Sequence, residues 1–278
     1  MKTILLINDN SAEAKHAAEF VLSLAINLRL NIVLGNTFVK DRKAVEMVLA
    51  GFPTQTETDE PFSSDVVVHL KVLLDSKKPI FKPEIFETDL SSMDETKVAE
   101  LINKNNIWMF IKGIPNEPTG LKNEKKLNVH TVLNKVLCPL MLIPANWQIK
   151  DMEHLVYIAD LRYCRIQIVK YLAEFAKPIN ADILIAHLTA KGLPDMAEPY
   201  ALSVFHEEVS RNVSYENLYF NNIKEKNLKV AVDVIIHGMH KDLLVVVNHR
   251  FHFEELLGTY IADNLPVNIT VPILIFPF

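Results

Sequence analysis

The chain has 278 residues, about twice the common size of one domain, so two domains or one large domain are both compatible with its length. Apolar residues make up 49% and charged residues 23%, a balance that excludes a disordered chain. The net charge is −5 and no long basic stretch occurs, which argues against partners such as nucleic acid or an anionic membrane.

Cysteine usage and the start of the chain bear on the compartment. The two cysteines, Cys138 and Cys164, are too few for a disulfide framework and lack metal-ligand spacing. The first apolar run, residues 4–7, is too short for the core of a signal peptide. No run approaches the roughly eighteen apolar residues of a membrane span. We therefore expect a cytoplasmic protein.

In chain order, the first half alternates strands and helices. A short apolar run predicts a buried strand at residues 3–7, and apolar side chains at helical spacing predict a helix at 12–29. The predicted elements that follow are a strand at 31–34, a helix at 64–75, a strand at 84–87, a helix at 93–103 with Ser91 or Ser92 as its N-cap, a strand at 107–111, a helix at 126–136 and a strand at 140–143.

The second half shows the same alternation. Its predicted elements are a strand at 154–158, a helix at 162–177, a strand at 182–187, a helix near 199–211, a strand near 215–219, a helix near 223–237, a strand at 243–247, a helix at 257–265 and a strand at 273–276. Strands that are separated by single helices and are apolar on both faces predict a parallel sheet covered by helices on both sides.

The two halves also repeat one another in sequence. Residues 3–39 align with residues 154–190 at an offset of 151, and residues 138–144 align with residues 271–277 at an offset of 133. Two anchors in the same order predict a duplicated domain. We expect two tandem doubly wound α/β domains of five strands each, at residues 1–146 and 152–278, with the boundary within residues 145–153.

A proline begins the closing strand of each half, at Pro139 and Pro272. Proline cannot donate a hydrogen bond to a neighbouring strand, so it fits the start of a strand or an edge strand. The two edges are a natural place for the halves to meet. We expect an intrachain pseudo-dimer related by a pseudo-two-fold axis; a homodimer is also possible on this pattern.

These features resemble the universal stress protein family in its tandem two-domain form. The first strand of each half ends in an aspartate, at Ile7-Asn8-Asp9 and Ile158-Ala159-Asp160, and a long alanine-rich helix follows in the first half. The second strand of the second half ends in His187-Leu188, and each half closes with Cys or Val, then Pro, aliphatic residues and Pro. The resemblance covers essentially the whole chain.

The resemblance implies a fold of adenine-nucleotide-hydrolase type and, in one class of the family, a bound ATP. That ATP site uses the aspartate after the first strand, main-chain groups after the second strand, and a Gly-x2-Gly-x9-Gly-(Ser/Thr) motif after the fourth. Glycine lets backbone N–H groups approach a phosphate, and a helix N-terminus favours the anion. The positions that the resemblance assigns to a ligand are Asp9, Thr37, Gly113, Asp160, Leu188, Asn248, Gly258 and Thr259, and Arg250 joins them because a guanidinium can hold a phosphate without glycine.

The sequence departs from the phosphate motif in both halves. After the fourth strand of the second half, Asn248 is followed by no glycine until Gly258-Thr259, and the first half keeps Gly113 without the rest of the motif. Glycine is also scarce, at 7 of 278 residues. We expect canonical ATP binding to be lost in the first half and damaged in the second.

Two alternatives stay open for the candidate ligands. Asp9 and Asp160 either contact a ligand or cap the turn before the first helix. Arg250, with His249, either holds an anion in place of the missing glycines or belongs to a polar surface loop anchored by aromatic residues.

Three further features of the sequence give weaker indications of function. The four histidines at positions 237, 240, 249 and 252 have spacing that a metal site could use, but a strand separates the two pairs and no cysteine is near, so we expect no metal. No nucleophile or Walker motif occurs. Residues 40–63 form either a loop or a groove for a partner.

The resulting hypothesis is a non-enzymatic stress-response or regulatory protein that acts through an unidentified protein partner or small ligand. The rival is an ATP- or nucleotide-binding protein whose site lies in the second domain. A metal-dependent enzyme built on the second-half histidines is a third reading.

Overall fold

The computed structural model describes residues 1–38, 64–115 and 127–278. The segment 40–63, which the sequence analysis considered, and Gly120, the next glycine after Gly113, lie outside the described residues. Within the described ranges, no helix has the length and apolar character needed to cross a membrane.

The first half contains five strands and four described helices. In chain order these are β1 (Thr3–Asn8), α1 (Ala12–Leu28), β2 (Asn31–Asn36), α2 (Asp65–Lys77), β3 (Ile85–Asp89), α3 (Glu95–Lys104), β4 (Ile107–Ile114), α4 (Val129–Leu133) and β5 (Leu140–Pro144).

The second half begins with β6 after the connecting segment 145–153. Its elements are β6 (His154–Ala159), a 3-10 turn (Leu161–Tyr163), α5 (Ile166–Ala176), a 3-10 turn (Lys177–Ile179), β7 (Asp182–Leu188), α6 (Glu198–Val204), β8 (Leu218–Ile223), α7 (Leu228–Asp233), β9 (Leu243–Val247), α8 (Phe251–Leu257) and β10 (Ile273–Phe276). A π turn extends α6 over Phe205–Val209 and another extends α7 over Val234–Gly238.

All ten strands belong to one sheet, in the order β3-β2-β1-β4-β5-β10-β9-β6-β7-β8. Every pairing is parallel except the one between β5 and β10, which is antiparallel. The prediction that the closing strands are the edges where the halves meet is therefore confirmed. The repeat holds residue by residue, because Thr3 pairs with Asn31 and, 151 residues later, His154 pairs with Asp182.

The central strands are buried along their whole length, as the continuous apolar runs predict. Every residue of β5, β9 and β10 is buried. Helix α1 buries Ala14, Ala17, Ala18 and Val21 among others and begins at Ser11, whose hydroxyl accepts the Ala14 N–H. The core is one continuous apolar cluster that runs through both halves.

Aromatic side chains support the junction between the halves. Trp108 of β4 stacks on Tyr171 of α5 with ring centroids 4.7 Å apart, and the Tyr171 hydroxyl donates to the Trp108 carbonyl at 3.0 Å. The Lys2 ammonium lies 4.6 Å from the Trp108 ring centroid and bonds Glu174. The halves are thus joined by packing and hydrogen bonds as well as by the β5–β10 pairing.

Several predicted boundaries were wrong. The helix predicted at 257–265 lies at Phe251–Leu257 instead, because Gly258 at φ +82° ends it. Helix α3 is capped by Asp94, whose carboxylate accepts the Lys97 N–H, and not by Ser91 or Ser92.

Strand β8 lies at Leu218–Ile223 and not near 215–219. Its side chains alternate between partly buried and exposed over its first four residues, as in an edge strand with one covered face. The predicted helices at 126–136 and 162–177 are also shorter than expected; a 3-10 turn takes the place of the first turn of the second one.

Candidate functional site

The carboxyl ends of β6, β7 and β9 bring the second-half candidates to one edge of the sheet. Asp160 follows β6, Leu188 is the last residue of β7, and Asn248 follows β9. Open parallel sheets bind ligands at this edge, so these positions form the candidate site.

The carboxylate of Asp160 is occupied by groups of the chain itself. It is buried and accepts two hydrogen bonds from the Arg162 guanidinium, from Nε at 2.8 Å and from an Nη at 2.6 Å. The Ala190 N–H donates to it at 2.9 Å and the Arg162 N–H at 3.1 Å. Asp160 therefore caps the turn at residues 161–163 and forms a bidentate ion pair.

This pairing fixes the charge of both partners. Burial alone would raise the pKa of Asp160, but the hydrogen bonds from Arg162 and Ala190 outweigh burial and lower it. The hydrogen bond to Asp160 raises the pKa of Arg162. Asp160 is thus ionised and neutralised by its neighbour at physiological pH.

The main chain after the second strand also has a neighbour from within the chain. The backbone of Leu188 lies close to the ring of His252, a buried residue of α8, and raises the pKa of that ring. Beside it, the fully buried His187 accepts the Leu161 N–H at Nδ1, at 3.2 Å. In both rings the Nε2 atom is buried and has no hydrogen-bond partner.

Burial keeps both imidazoles neutral. It lowers the pKa of His252 and of His187, and each shift is opposed by the negative charge of Asp160. His187 further lowers the pKa of His252, and Arg162 lowers that of His187.

Asn248, placed after the fourth strand of the second half, is fully buried and ties this edge to the first half. Its side-chain N–H donates to Asn134 at 2.7 Å, and its side-chain oxygen accepts the His249 N–H at 3.1 Å. His249 also bonds Asn134 and packs edge-on against His130, whose Nδ1 accepts the Ile261 N–H.

Gly258 and Thr259 lie away from any helix N-terminus. Gly258 is the residue after α8 and both residues are exposed. A phosphate site of the kind that the glycine motif predicts needs a helix that begins at this point. Here the helix ends, so the dipole at this position has the opposite sign.

A small cavity remains at the edge of the sheet. Its volume is about 20 Å³, and it is lined by side chains that include Asp160, Tyr163, Arg250, Phe251 and His252. That space holds about one water molecule, whereas pockets for drug-sized ligands run to about 300–1,000 Å³.

The first half fills its edge with shorter side chains. Asn8 is fully buried and donates to Asn36 at 2.7 Å, and Asn36 donates to Glu87 at 2.8 Å. Asp9 accepts the Ser11 N–H and hydroxyl, which makes it the turn-forming counterpart of Asp160.

The other first-half candidates also have structural partners. The N–H of Thr37 donates to the Asn8 carbonyl at 2.9 Å. A Cβ on Gly113 would lie 2.1 Å from the carbonyl oxygen of Glu13, so glycine is required there by the close approach of β4 to the start of α1. The glycine is accounted for without a phosphate.

The second-half histidines do not converge. His237 lies near Thr270 and Asp233, His249 bonds Asn134 of the first half, and His252 is a buried residue of α8. In the described ranges, no group of three or more His, Cys, Asp or Glu side chains could hold a metal ion.

Sequence reasoning missed the residues that fill the site. Arg162 hydrogen-bonds Asp160, Tyr163 lines the cavity, and His252 lies close to the Leu188 backbone. The repeat offers one signal for the first of them, because Arg162 aligns with Ser11 and so breaks the equivalence of the two halves.

Comparisons with known proteins agree with this architecture. No family model and no curated protein matches the sequence. Among solved structures, a universal stress protein from Archaeoglobus fulgidus DSM 4304 is 11% identical, with a TM-score of 0.57 over 99% of this chain and 98% of that one. The fold is that of the universal stress proteins.

Two further structures fit the same architecture. A putative universal stress protein from Pseudomonas aeruginosa UCBPP-PA14 has a TM-score of 0.50 at 12% identity, over 100% of this chain and 93% of that one. A protein of unknown function from Pseudomonas aeruginosa PAO1 has a TM-score of 0.50 at 11% identity, over 100% and 92%. The universal-stress-type fold therefore extends over both halves of the chain.

Proposed function

We propose that this chain is a cytoplasmic regulatory protein of the universal stress type, which acts without catalysis by binding a protein partner or a small ligand. Its two domains span residues 1–146 and 152–278. Canonical ATP binding is lost in the first and lost or weakened in the second.

One observation carries this proposal. The groups that the family resemblance assigns to ATP have neighbours from the chain itself: the Asp160 carboxylate accepts two hydrogen bonds from Arg162, and the Leu188 backbone lies close to the buried ring of His252. A nucleotide would have to displace the bidentate bond from Arg162, which would leave the buried Asp160 carboxylate without its charged partner.

Space and helix polarity support the same proposal. The cavity of about 20 Å³ is far smaller than a nucleotide pocket, and α8 ends where the phosphate-binding helix would begin. The sequence also contains none of the nucleophile or Walker motifs that would suggest hydrolysis.

The second candidate is a nucleotide-binding protein with its site at Asp160, Leu188, Asn248, Gly258 and Thr259. Two unpartnered buried nitrogen atoms in this region, Nε of Arg250 and Nε2 of His252, favour it, because buried polar atoms ordinarily have partners. Such a ligand requires Arg162 to leave Asp160.

Calorimetric titration of the full chain with Mg²⁺ and ATP separates the two candidates. The proposed function predicts no saturable heat with the wild-type chain. A micromolar Kd that is abolished by Asp160→Ala, with Asp9→Ala as the matched control in the first half, would establish the second candidate instead.

A further inference from the structure

Arg250 lines the small cavity, and Arg165 packs on the same Phe278 ring as Arg250. Arg165 precedes α5 and Arg250 precedes α8, and neither forms an ion pair with any described carboxylate. Arg165 donates to the Pro277 carbonyl at 3.3 Å, and Nε of Arg250 is buried with no hydrogen-bond partner. A buried guanidinium N–H without an acceptor is an unmet demand for an anion or a water molecule.

Aromatic rings surround these guanidinium groups. Arg250 lies 4.6 Å from the Phe278 ring centroid and 5.4 Å from that of Tyr163, and Arg165 lies 5.0 Å from that of Phe278. Phe251 packs on Tyr163 at 5.8 Å. The residues Tyr163 and Phe251 are each 42% exposed and Phe278 is 64% exposed, so apolar surface remains open next to the arginines.

The local charge favours an anion. Asp160 is the acidic side chain that lines the cavity, and its charge is balanced by the bidentate bond to Arg162. Arg165 and Arg250 form no ion pair among the residues that the structure describes, so they add two positive charges next to the aromatic rings. Guanidinium groups pair with carboxylate and phosphate oxygens through two parallel hydrogen bonds.

We propose that Arg165, Arg250 and the rings of Tyr163, Phe251 and Phe278 form a receptor site for a compact organic anion, a carboxylate or phosphate monoester on a flat apolar body. One oxygen of the anion enters the water-sized cavity, and the apolar body covers the exposed rings. This inference rests on the small-ligand arm of the proposed function and excludes a nucleotide in the same place.

His252 couples this site to protons. His252 lines the cavity, and its Nε2 atom is buried without a hydrogen-bond partner. The protonated ring carries a proton on both nitrogens, so it donates from Nε2 to an anion in the cavity and adds a positive charge. Anion affinity therefore rises as the pH falls from 7.5 to 5.5.

Other charged and titratable groups also lie around His252. They are Asp160 and Arg162 between β6 and α5, His187 on β7, and Arg250 at the start of α8. Helix α7 also packs on α8, and none of its groups contributes to the shift. Because His187 titrates in the same direction, the variant His252→Gln is needed to assign the pH dependence.

The test is calorimetric titration of the full chain with benzoate and with phenyl phosphate, with benzylamine as the charge-reversed control. We expect both anions to bind with a Kd of about 1 mM or tighter and benzylamine not to bind. Arg250→Gln and Arg165→Gln each weaken binding by about tenfold or more, since each removes charge-assisted hydrogen bonds. Arg211→Gln, an exposed arginine on another turn, leaves the Kd unchanged.

Three other results would each contradict the proposed site. Equal binding of benzylamine, no binding of either anion, or an unchanged Kd in both arginine variants with wild-type melting temperature overturns it. A Kd that does not change with pH overturns the role of His252. If the Kd does change with pH, we expect His252→Gln to remove that change. If the anions and ATP both fail to bind, the site is wrong while the proposed function stands; tight ATP binding removes the proposed function itself.

Discussion

The two halves share a sheet topology and a strand register, but they fill the same ligand edge in different ways. The first half uses short side chains, with Asn8 on Asn36 and Asp9 on Ser11. The second half uses longer side chains, with Arg162 on Asp160 and His252 on Leu188. The duplicated fold was retained while the residues at its carboxyl edge diverged, so each half must be interpreted from its own contacts.

Gly113→Ala sharpens the comparison most, because this glycine is used for packing in the first half alone. The new Cβ would lie 2.1 Å from the Glu13 carbonyl oxygen and 2.4 Å from its carbon, where backbone meets backbone and neither can rotate away. We expect the free energy of unfolding to fall by about 3 kcal/mol, measured by urea denaturation.

Gly238→Ala is the matched control for that substitution. Its Cβ would meet only a side-chain atom of Val234 at 3.5 Å. We expect the free energy of unfolding to be unchanged or raised by up to about 1 kcal/mol, because alanine is favoured over glycine in helical backbone. Equal losses at both glycines would contradict the packing explanation for Gly113.

Asp160→Ala and Asp9→Ala compare equivalent aspartates directly. Loss of Asp160 leaves Arg162 and the Ala190 N–H without their partner in a buried site, and we expect a loss of about 2 kcal/mol. Loss of Asp9 removes hydrogen bonds to Ser11 and should cost about 0.5–1 kcal/mol. Chemical denaturation of both variants measures the difference, and a larger loss at Asp9 would reverse the account of the two edges.

Tyr171→Phe tests the junction that the halves have in common. The ring stacking on Trp108 is kept, and only the hydroxyl bond to the Trp108 carbonyl is lost. We expect the melting temperature to fall by an amount that corresponds to about 1 kcal/mol. A transition that splits into two steps would show that this single bond couples the halves, which the extensive shared core does not predict.

The pH dependence of stability should be the smallest effect, and it belongs to the second half and the junction. Burial lowers the pKa of His187, His252 and His130 in the folded chain. Below about pH 6.5 the unfolded chain therefore binds more protons than the folded chain does. Their contribution to stability is therefore present above pH 6.5 and is lost as the pH falls toward the lowered pKa values.

His187→Asn isolates part of this effect, since Asn36 occupies the equivalent position in the first half. We expect a shallower decline in melting temperature between pH 7.5 and 5.5 for this variant than for the wild-type chain. An identical slope in the two proteins would place the pH sensitivity elsewhere.

Much of the fold could be predicted because it depends on local pattern. Alternating apolar runs and helical spacing locate the strands, and the offset of 151 predicts the register that pairs Thr3 with Asn31 and His154 with Asp182. The prolines before β5 and β10 predict the edges that meet. Each of these signals lies within a few residues or is repeated in both halves.

The occupancy of the site could not be predicted in the same way. Whether Arg162 turns back onto Asp160 depends on a 3-10 turn that replaces the first turn of α5. The position of His252 depends on where α8 begins, and the helix predicted at 257–265 begins six residues too late. The nine candidate ligand positions stay predictions, although the structure gives most of them partners within the chain.

The most direct test of the account is a crystal structure of the full chain grown with saturating Mg²⁺ and ATP. The account predicts an intact bidentate bond between Arg162 and Asp160, His252 against Leu188, and no nucleotide at the edge of β6, β7 and β9. A triphosphate bound over Asp160, with the Arg162 side chain displaced, would contradict it.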